Sequence, residues 1–552
     1  MTERNRRSDN FIMQAGILAT AGIISRIIGL LYRSPLTEVI GEVGMGYYQA
    51  AYSFYSIVLL ISSYSIPAAI SKVIAEKLGR REYRNAHRVF LCAMGYVLVV
   101  GLVASLFLYF GAGLFVKPEA IGVLRVFAPT IFIYGILGVL RGYFQAHKTM
   151  VQTSCSQVLE QIANAVVSIL AAYLLIKSAM GTMEIPMDEA GQVTRASYGA
   201  MGSALGTGAG VLVALLFMAG IYALNKGVIH RRIARDKHTE VDSYGDILRT
   251  ITAVVTPFIL STAVYNLSTS LNTALYTKLL PAIKEIEGMT IDYNWGIFSG
   301  LALTISNIPI AFASAMASAM LPSVAQTVAA ERSEELQGKI SMAVKTIMII
   351  SIPCGVGLFV LAKPLVFLLF PRSDAVVTLA GKLLMALAVS VIFYALSTLS
   401  NTVLQGLGKV NVPIINAGVA LVVQTVVAVL LLAFTGADIY AIAIANVVYS
   451  GAMCVLNQWS LYKAIGYKQE WIHSFLLPAL AAVFMGGSAY VVYEGLYLLT
   501  ASMRISVIPA VIVAVAVYFV ALIKLRGLTE EEMRKMPKGH MLVKLAKKCR
   551  LL

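Results

Sequence analysis

Apolar stretches of about twenty residues recur from one end of this chain to the other, and they constrain its fold more than any motif does. In hydrocarbon every backbone N–H and C=O must find its partner within the protein. A chain built from such stretches therefore crosses a bilayer as helices or as a closed barrel. A barrel would alternate apolar and polar residues with a period of two, and no such dyad pattern competes here. Of the 552 residues 58% are hydrophobic and 13% charged, against about 25% charged in a soluble domain. The expected class is an all-α integral membrane protein.

The spans read as 11–31, 46–70, 89–115, 121–143, 155–176, 198–224, 247–276, 295–320, 341–364, 377–404, 412–435, 438–462, 472–496 and 504–525. That is about fourteen transmembrane helices, each end uncertain by several residues. The first apolar stretch is too long for a signal peptide and no cleavage-like site follows it, so it is expected to stay as the first span.

The formal charge of +16 raises nucleic acid as a partner, but its placement follows topology instead. Basic loops at Arg4–Arg7, Lys77–Arg88, His147–Lys148, Lys226–Arg249, Lys463–Lys468 and from Lys524 alternate with short or acidic ones. The acidic set includes Glu38–Glu42, Glu184–Glu189 and Lys284–Asp292. This positive-inside pattern places both termini in the cytoplasm of a plasma-membrane protein, with no nucleic-acid partner. The five cysteines show neither pairing nor metal spacing, so disulfides are not expected.

One charge interrupts the first stretch. Arg26 lies about 22 Å along a helix from Phe11 at 1.5 Å per residue, in the outer half of the bilayer. Ala15, Ala19, Gly22, Arg26, Gly29 and Arg33 share one helical face, while Ile17, Leu18, Ile24, Ile27, Ile28 and Leu31 form the other. A guanidinium in a membrane helix faces a bundle interior or a watery cavity, and its planar fork suits phosphate or pyrophosphate oxygens. Arg33, near the interface, either joins Arg26 or snorkels. Lys72 meets an anion at the cytoplasmic side or snorkels likewise.

Polar stripes mark other spans. Gln157, Glu160, Gln161, Asn164 and Ser168 share a face of the fifth; Thr262, Asn266, Thr269, Thr273 and Tyr276 a face of the seventh; Tyr394, Ser397, Asn401 and Gln405 a face of the tenth. Taken singly, each residue reads as an interhelical hydrogen bond; together they suggest a hydrated cavity. Arg141 and Glu160 read as a structural ion pair. Gly206, Gly208 and Gly210 read as helix packing.

The first twelve spans look like two copies of six. Pro67 and Glu76 recur as Pro322 and Glu331, and Tyr134 and Gln145 as Tyr394 and Gln405, at offsets of about 255 and about 260 residues. The expected organisation is an N-lobe at 1–225, a cytoplasmic linker at 226–246, a C-lobe at 247–463, two further spans at 464–525 and a basic tail at 526–552. Even-numbered copies run the same way through the membrane, with a substrate path between them. No G-x-x-x-x-G-K-[ST] loop is present, and the six histidines lack metal-ligand spacing. No enzyme activity and no cofactor are expected. Coupling to the membrane potential or to a monovalent cation is left open.

These segments resemble a known superfamily. Ser25-Arg26-Ile27-Ile28-Gly29 with Tyr32-Arg33 is similar to the first-helix motif of the multidrug/oligosaccharidyl-lipid/polysaccharide (MOP) flippases. Ile66-Pro67-Ala68-Ala69-Ile70-Ser71-Lys72 resembles its polysaccharide-biosynthesis branch, which holds the stage V sporulation protein B and MurJ-type lipid II flippases. Arg141-Gly142-Tyr143-Phe144-Gln145 followed by Met150, Thr153, Ser156-Gln157 and Glu160-Gln161 is the most specific part. Asn307–Ala311 and Leu404–Lys409 extend the likeness into the second half.

The resemblance implies fourteen helices in two pseudo-symmetric six-helix lobes, two C-terminal helices forming a groove for a polyprenyl tail, and a cationic cavity for a pyrophosphate–sugar head group. It implies a flippase moving an undecaprenyl-pyrophosphate-linked precursor, most simply lipid II, by alternating access. The alternatives are a flippase for another lipid-linked polysaccharide and a cation-coupled multidrug exporter. The candidate substrate residues are Arg26, Arg33, Gly22, Gly29, Lys72, Gln157, Glu160, Asn164, Asn266, Asn401 and Gln405. Pro67, Arg141, Gln145 and Pro322 carry structural or gating roles. The partners implied are a lipid-linked oligosaccharide, membrane lipids and cell-wall synthesis proteins. The MurJ branch has further arginines in spans two and eight, where this chain has Leu59-Leu60-Ile61 and Leu301–Ile310; anion recognition must then rest on other residues.

Overall fold

The computed structural model describes residues 21–22, 24–64, 66–147, 149–181, 189–234, 236, 241–329, 333–530, 543–544 and 547. The side chains at 64, 68–69, 254–266, 315, 318–319, 321–323, 325–326, 329 and 333 lie outside that description. Every regular element among the described residues is helical. Eleven helices there are long and apolar enough to cross a membrane, and the protein is a multi-pass membrane protein. Outward faces are apolar: Val99 is 65%, Phe110 75% and Leu114 77% exposed. Lipid, not water, suits such a surface.

Contacts divide the chain into two compact units, Met1–Gly296 and Ile297–Leu552. The first begins with a helical stretch at 24–31, followed by α1 (Arg33–Leu59), α2 (Ile66–Gly79), α3 (Tyr83–Phe115), α4 (Pro118–Ala146), α5 (Met150–Met180), α6 (Glu189–Ala234) and α7 (Tyr244–Ala274). Short α8 (Leu280–Ile283) and α9 (Gly288–Gly296) complete it.

The expected single span 46–70 is interrupted. α1 starts earlier, at Arg33, and a π-helical turn at Leu60–Tyr64 separates it from α2. Pro67 supplies the reason: it has no N–H to give the carbonyl one turn back, so the α ladder breaks there. Gly41, with φ +74°, kinks α1 in a conformation that other residues rarely adopt. α4 accommodates the break with glycines. A Cβ at Gly138 would touch the Pro67 ring and one at Gly142 the Pro67 backbone.

The linker expected at 226–246 is largely helix. α6 runs on without a Gly or Pro breaker from 228 to Ala234, and α7 has begun by Tyr244. α7 packs its Ile247 and Ile251 into the core that α2, α3 and α4 form, which is why the packing division falls at Gly296 and not at the basic segment.

The second unit holds α10 (Leu303–Ala329), α11 (Ser333–Val360), α12 (Ala362–Leu369), α13 (Asp374–Gly406), α14 (Asn411–Phe434), α15 (Ile439–Ile465), α16 (Leu477–Thr500) and α17 (Met503–Lys524). A π-helical turn at Ile297–Ala302 leads into α10. The two C-terminal helices expected after the twelfth span are α16 and α17, packed through Met485, Ala489, Tyr493, Val507 and Ala510. The basic tail lies mostly outside the described residues.

Candidate functional site

The first helical stretch lies along α5. A Cβ at Gly29 would sit 3.6 Å from Gln161 Oε1, and Asn164 Nδ2 donates to the Tyr32 hydroxyl at 3.4 Å. Residues 29 and 32 thus match 161 and 164, two parallel helices in register. Continued by one turn, the same register sets Ser25 and Arg26 level with Gln157. There Ser25 Oγ and Gln157 Oε1 are both buried with no hydrogen-bond partner among the described residues. Arg26 is exposed and makes no ion pair among the described residues. Buried polar atoms without partners are costly, and these two lie at the level of Arg26 along the paired helices.

One turn on, the stripe is spent on structure. Arg141 is buried, with Nη2 2.8 Å from Glu160 Oε2 and Nε donating to Ser156 Oγ at 2.9 Å. This is the structural ion pair expected from sequence, and it commits the Glu160 carboxylate away from any substrate. Ser168 donates to Asn164 Oδ1 at 2.9 Å and lies 3.1 Å from the Ser203 carbonyl oxygen. α6 comes this close because Gly202, Gly206 and Gly210 face the α5 backbone; a Cβ at any of them would collide with it. Helix packing therefore accounts for Gly206 and Gly210, while Gly208 looks toward Thr130.

The other candidates are dispersed. Arg33 and Gly22 are half-buried and Lys72 is exposed on α2. Pro67 packs against α4, and Gln145, in its last turn, makes no side-chain hydrogen bond among the described residues. In the second unit Gln405 Nε2 donates to Asn401 Oδ1 at 3.1 Å, within one helix. Asn266 and Pro322 have side chains outside the described set, and Thr273 is buried and bonds its own helix at Thr269. Aromatic residues that the sequence reading passed over line α1. Tyr48 stacks on Tyr52 at 5.9 Å and Tyr55 on Phe127 at 4.7 Å. Their spacing at 48, 52 and 55, one helical face, was the available signal.

At the end of this unit the turn after α2 is clasped to the segment before α7. Lys77 Nζ lies 3.0 Å from Glu82 and 2.5 Å from Asp242. Burial opposes the Lys77 charge, but its two carboxylate hydrogen bonds outweigh that and raise its pKa. The hydrogen bond from Asn85, with help from Lys77, holds Glu82 below the usual carboxylate range despite partial burial. Among the described residues no three His, Cys, Asp or Glu side chains gather as metal ligands.

Comparison with known proteins identifies the architecture. The model for "Polysaccharide biosynthesis protein" matches residues 12–328, more than half of the chain. The chain belongs to that family. Within the MOP superfamily it falls in the polysaccharide and flippase branch, and the MatE model matches residues 299–430. The lipid II flippase MurJ of Bacillus subtilis (strain 168) is 23% identical over 436 residues, 76% of this chain and 77% of that protein. Stage V sporulation protein B of the same organism is 22% identical over 535 residues, 96% of this chain and 98% of its own. A solved lipid II flippase MurJ, inward closed, superposes with TM-score 0.64 at 13% identity, covering 91% of this chain and 97% of that one. An inward-facing multidrug resistance MATE transporter gives 0.56 at 18%, covering 82% and 94%. This member of the MOP superfamily is therefore a flippase-type transporter of lipid or solute and not a catalytic enzyme.

Proposed function

We propose that this protein moves a polyprenyl-pyrophosphate-linked cell-wall precursor, lipid II above other lipid-linked glycans, from the inner to the outer leaflet by alternating access. The carrying observation is the group formed by exposed Arg26 and the unpartnered Ser25 Oγ and Gln157 Oε1. A guanidinium recognises diphosphate oxygens by paired, charge-assisted hydrogen bonds, and the neutral groups suit hydroxyl-bearing sugars. The extended likeness to MurJ and to stage V sporulation protein B supports this substrate class. In the reading adopted here both termini are cytoplasmic and the two halves are repeats of six spans. Moving one net negative charge outward then gains about 2.3 kcal/mol per 100 mV, so the potential helps drive the cycle.

Arg26→Ala tests the role of the arginine. Outer-leaflet precursor is expected to fall sharply at unchanged protein level, with partial recovery in Arg26→Lys; export equal to wild type would remove Arg26 from the site. Depletion of the protein, followed by analysis of which lipid-linked intermediate accumulates inside, separates lipid II from other glycans.

The MatE match over residues 299–430 favours one second reading, a cation-coupled multidrug exporter. Such exporters usually carry a carboxylate early in the first lobe, and the first apolar stretch here has none. Drug efflux in a pump-deficient host decides between the two.

A further inference from the structure

A cavity of about 200 Å³ lies at the end of the first unit, where the end of α2, the start of α3, the loop from α4 to α5 and the end of α6 converge. None of the residues proposed for transport lines it. Its polar wall is His87, His147, Thr149, Gln152, Asn225 and Arg232, set among aromatic and aliphatic side chains.

The lining contains cationic or protonatable nitrogen and no carboxylate. Acidic groups in the adjoining segments are already engaged. Glu82 and Asp242 hold Lys77, and Asp236 accepts the Arg84 backbone N–H at 2.6 Å. Among the described residues Arg232, in the last turn of α6, makes no ion pair, so its charge faces a cavity whose lining has no carboxylate.

Two atoms of lining residues, His87 Nδ1 and Gln152 Oε1, are buried with no hydrogen-bond partner among the described residues. An imidazole protonated at Nδ1 donates there, and rotation of the Gln152 amide exchanges its acceptor for an NH₂ donor. His147 donates Nδ1–H to the Tyr143 carbonyl at 2.9 Å, which leaves Nε2 as its second polar atom. Asn225 has one amide hydrogen on the Ile221 carbonyl, at 2.8 Å, and a second to give.

We propose that this cavity binds a phosphate group, with Arg232 as its charge partner and His87, Gln152 and Asn225 as hydrogen-bond donors. Basic pockets at the ends of membrane helices recognise phosphate head groups by this chemistry. The site is separate from the transport face, and it holds whether or not Arg26 binds a diphosphate. Inorganic phosphate and the phosphodiester of an anionic membrane lipid share the recognised group, so the test separates them.

The full-length protein is purified in detergent, and thermal unfolding is followed with inorganic phosphate against chloride at equal ionic strength. In a second arm, the protein is taken from vesicles of phosphatidylglycerol and phosphatidylcholine, and retained phosphatidylglycerol is counted by native mass spectrometry. Arg232→Gln, at an exposed position, is run beside wild type in both arms, with Arg232→Lys as the charge-keeping control.

If free phosphate is the ligand, wild type is stabilised by phosphate with an affinity roughly tenfold above that of R232Q, and R232K lies between. If lipid is the ligand, phosphatidylglycerol retention follows that order and the response to inorganic phosphate is equal in all three. Identical behaviour of wild type and R232Q in both arms overturns the proposal.

Discussion

The two units join their long helices by different chemistry. In the first, α6 turns Gly202, Gly206 and Gly210 to α5 so that the backbones meet. Of the polar stripe on α5, Asn164 and Ser168 are used in packing and Glu160 is spent on Arg141. In the second, amides do the joining. Asn416 Nδ2 reaches Asn457 Oδ1 and Ser460 Oγ, both at 2.9 Å, and Asn457 Nδ2 reaches Ser397 Oγ at 3.1 Å. Gln458 ties Ser400 at 2.6 Å and accepts from Gln469. Glycine packing consumes no hydrogen-bonding groups, and in the first unit Ser25 Oγ and Gln157 Oε1 have no hydrogen-bond partner among the described residues. The second unit uses up Ser397, which the sequence reading had placed in the cavity stripe.

The largest effect expected on stability comes from the one buried ion pair in this comparison. Glu160→Gln leaves the Arg141 guanidinium buried without its counter-ion, a loss of about 3–5 kcal/mol, read as a collapse of folded yield or of the unfolding midpoint in detergent. Gly206→Val drives a side chain into the α5 backbone and Ser168. A cost of about 1–3 kcal/mol follows. The amide network should be more forgiving: Asn457→Ala is expected to cost about 1 kcal/mol, as single interhelical hydrogen bonds in membranes do. An Asn457 variant worse than the Gly206 variant would break the contrast between the units.

Smaller still is the response of the Lys77–Glu82–Asp242 clasp to pH. Glu82 has a lowered pKa, so its contribution is present above the ordinary glutamate value and is lost as pH falls through the lowered one. Lys77 has a raised pKa, so its contribution is complete below the ordinary lysine value and is lost as pH rises through the raised one. A spin label at position 80 should be immobile between these limits and loosen at both ends; in Glu82→Gln the acid transition is reduced, because the Asp242 carboxylate still holds Lys77. The smallest change in stability belongs to Arg26→Ala. An exposed side chain with no ion pair among the described residues should move the unfolding midpoint by no more than about 0.5 kcal/mol allows, even as export falls.

Much of this was legible in the chain itself. Apolar runs of bilayer length and few charges decide for membrane helices, because hydrocarbon leaves the backbone no other partner. The Arg141–Glu160 pair was legible too, since both lie at matching ends of consecutive helices. Gly206 and Gly210 were legible as packing glycines as well, whereas Gly202 went unnamed and Gly208 faces Thr130. The missing N–H of Pro67 stands in the sequence, but the form of the break, a π-helical turn whose Ser63 lies against Gly135 and Gly138, depends on α4.

What sequence alone determined is composition along each helix: that the chain crosses a membrane many times as helices, which residues share a face, and that Arg26 is an anomaly among apolar neighbours. Tertiary structure decided which polar atoms on those faces are satisfied. Ser397 and Gln157 look alike in a periodic stripe, yet Asn457 meets one and no described residue bonds the Oε1 of the other. It also carried α6 into the supposed linker and brought His87, His147 and Arg232 around one cavity from three separate helix ends. Periodicity reports the direction in which a side chain leaves its own helix. Satisfaction of a hydrogen bond depends on the atom that arrives from another helix, and that atom has no fixed distance along the chain.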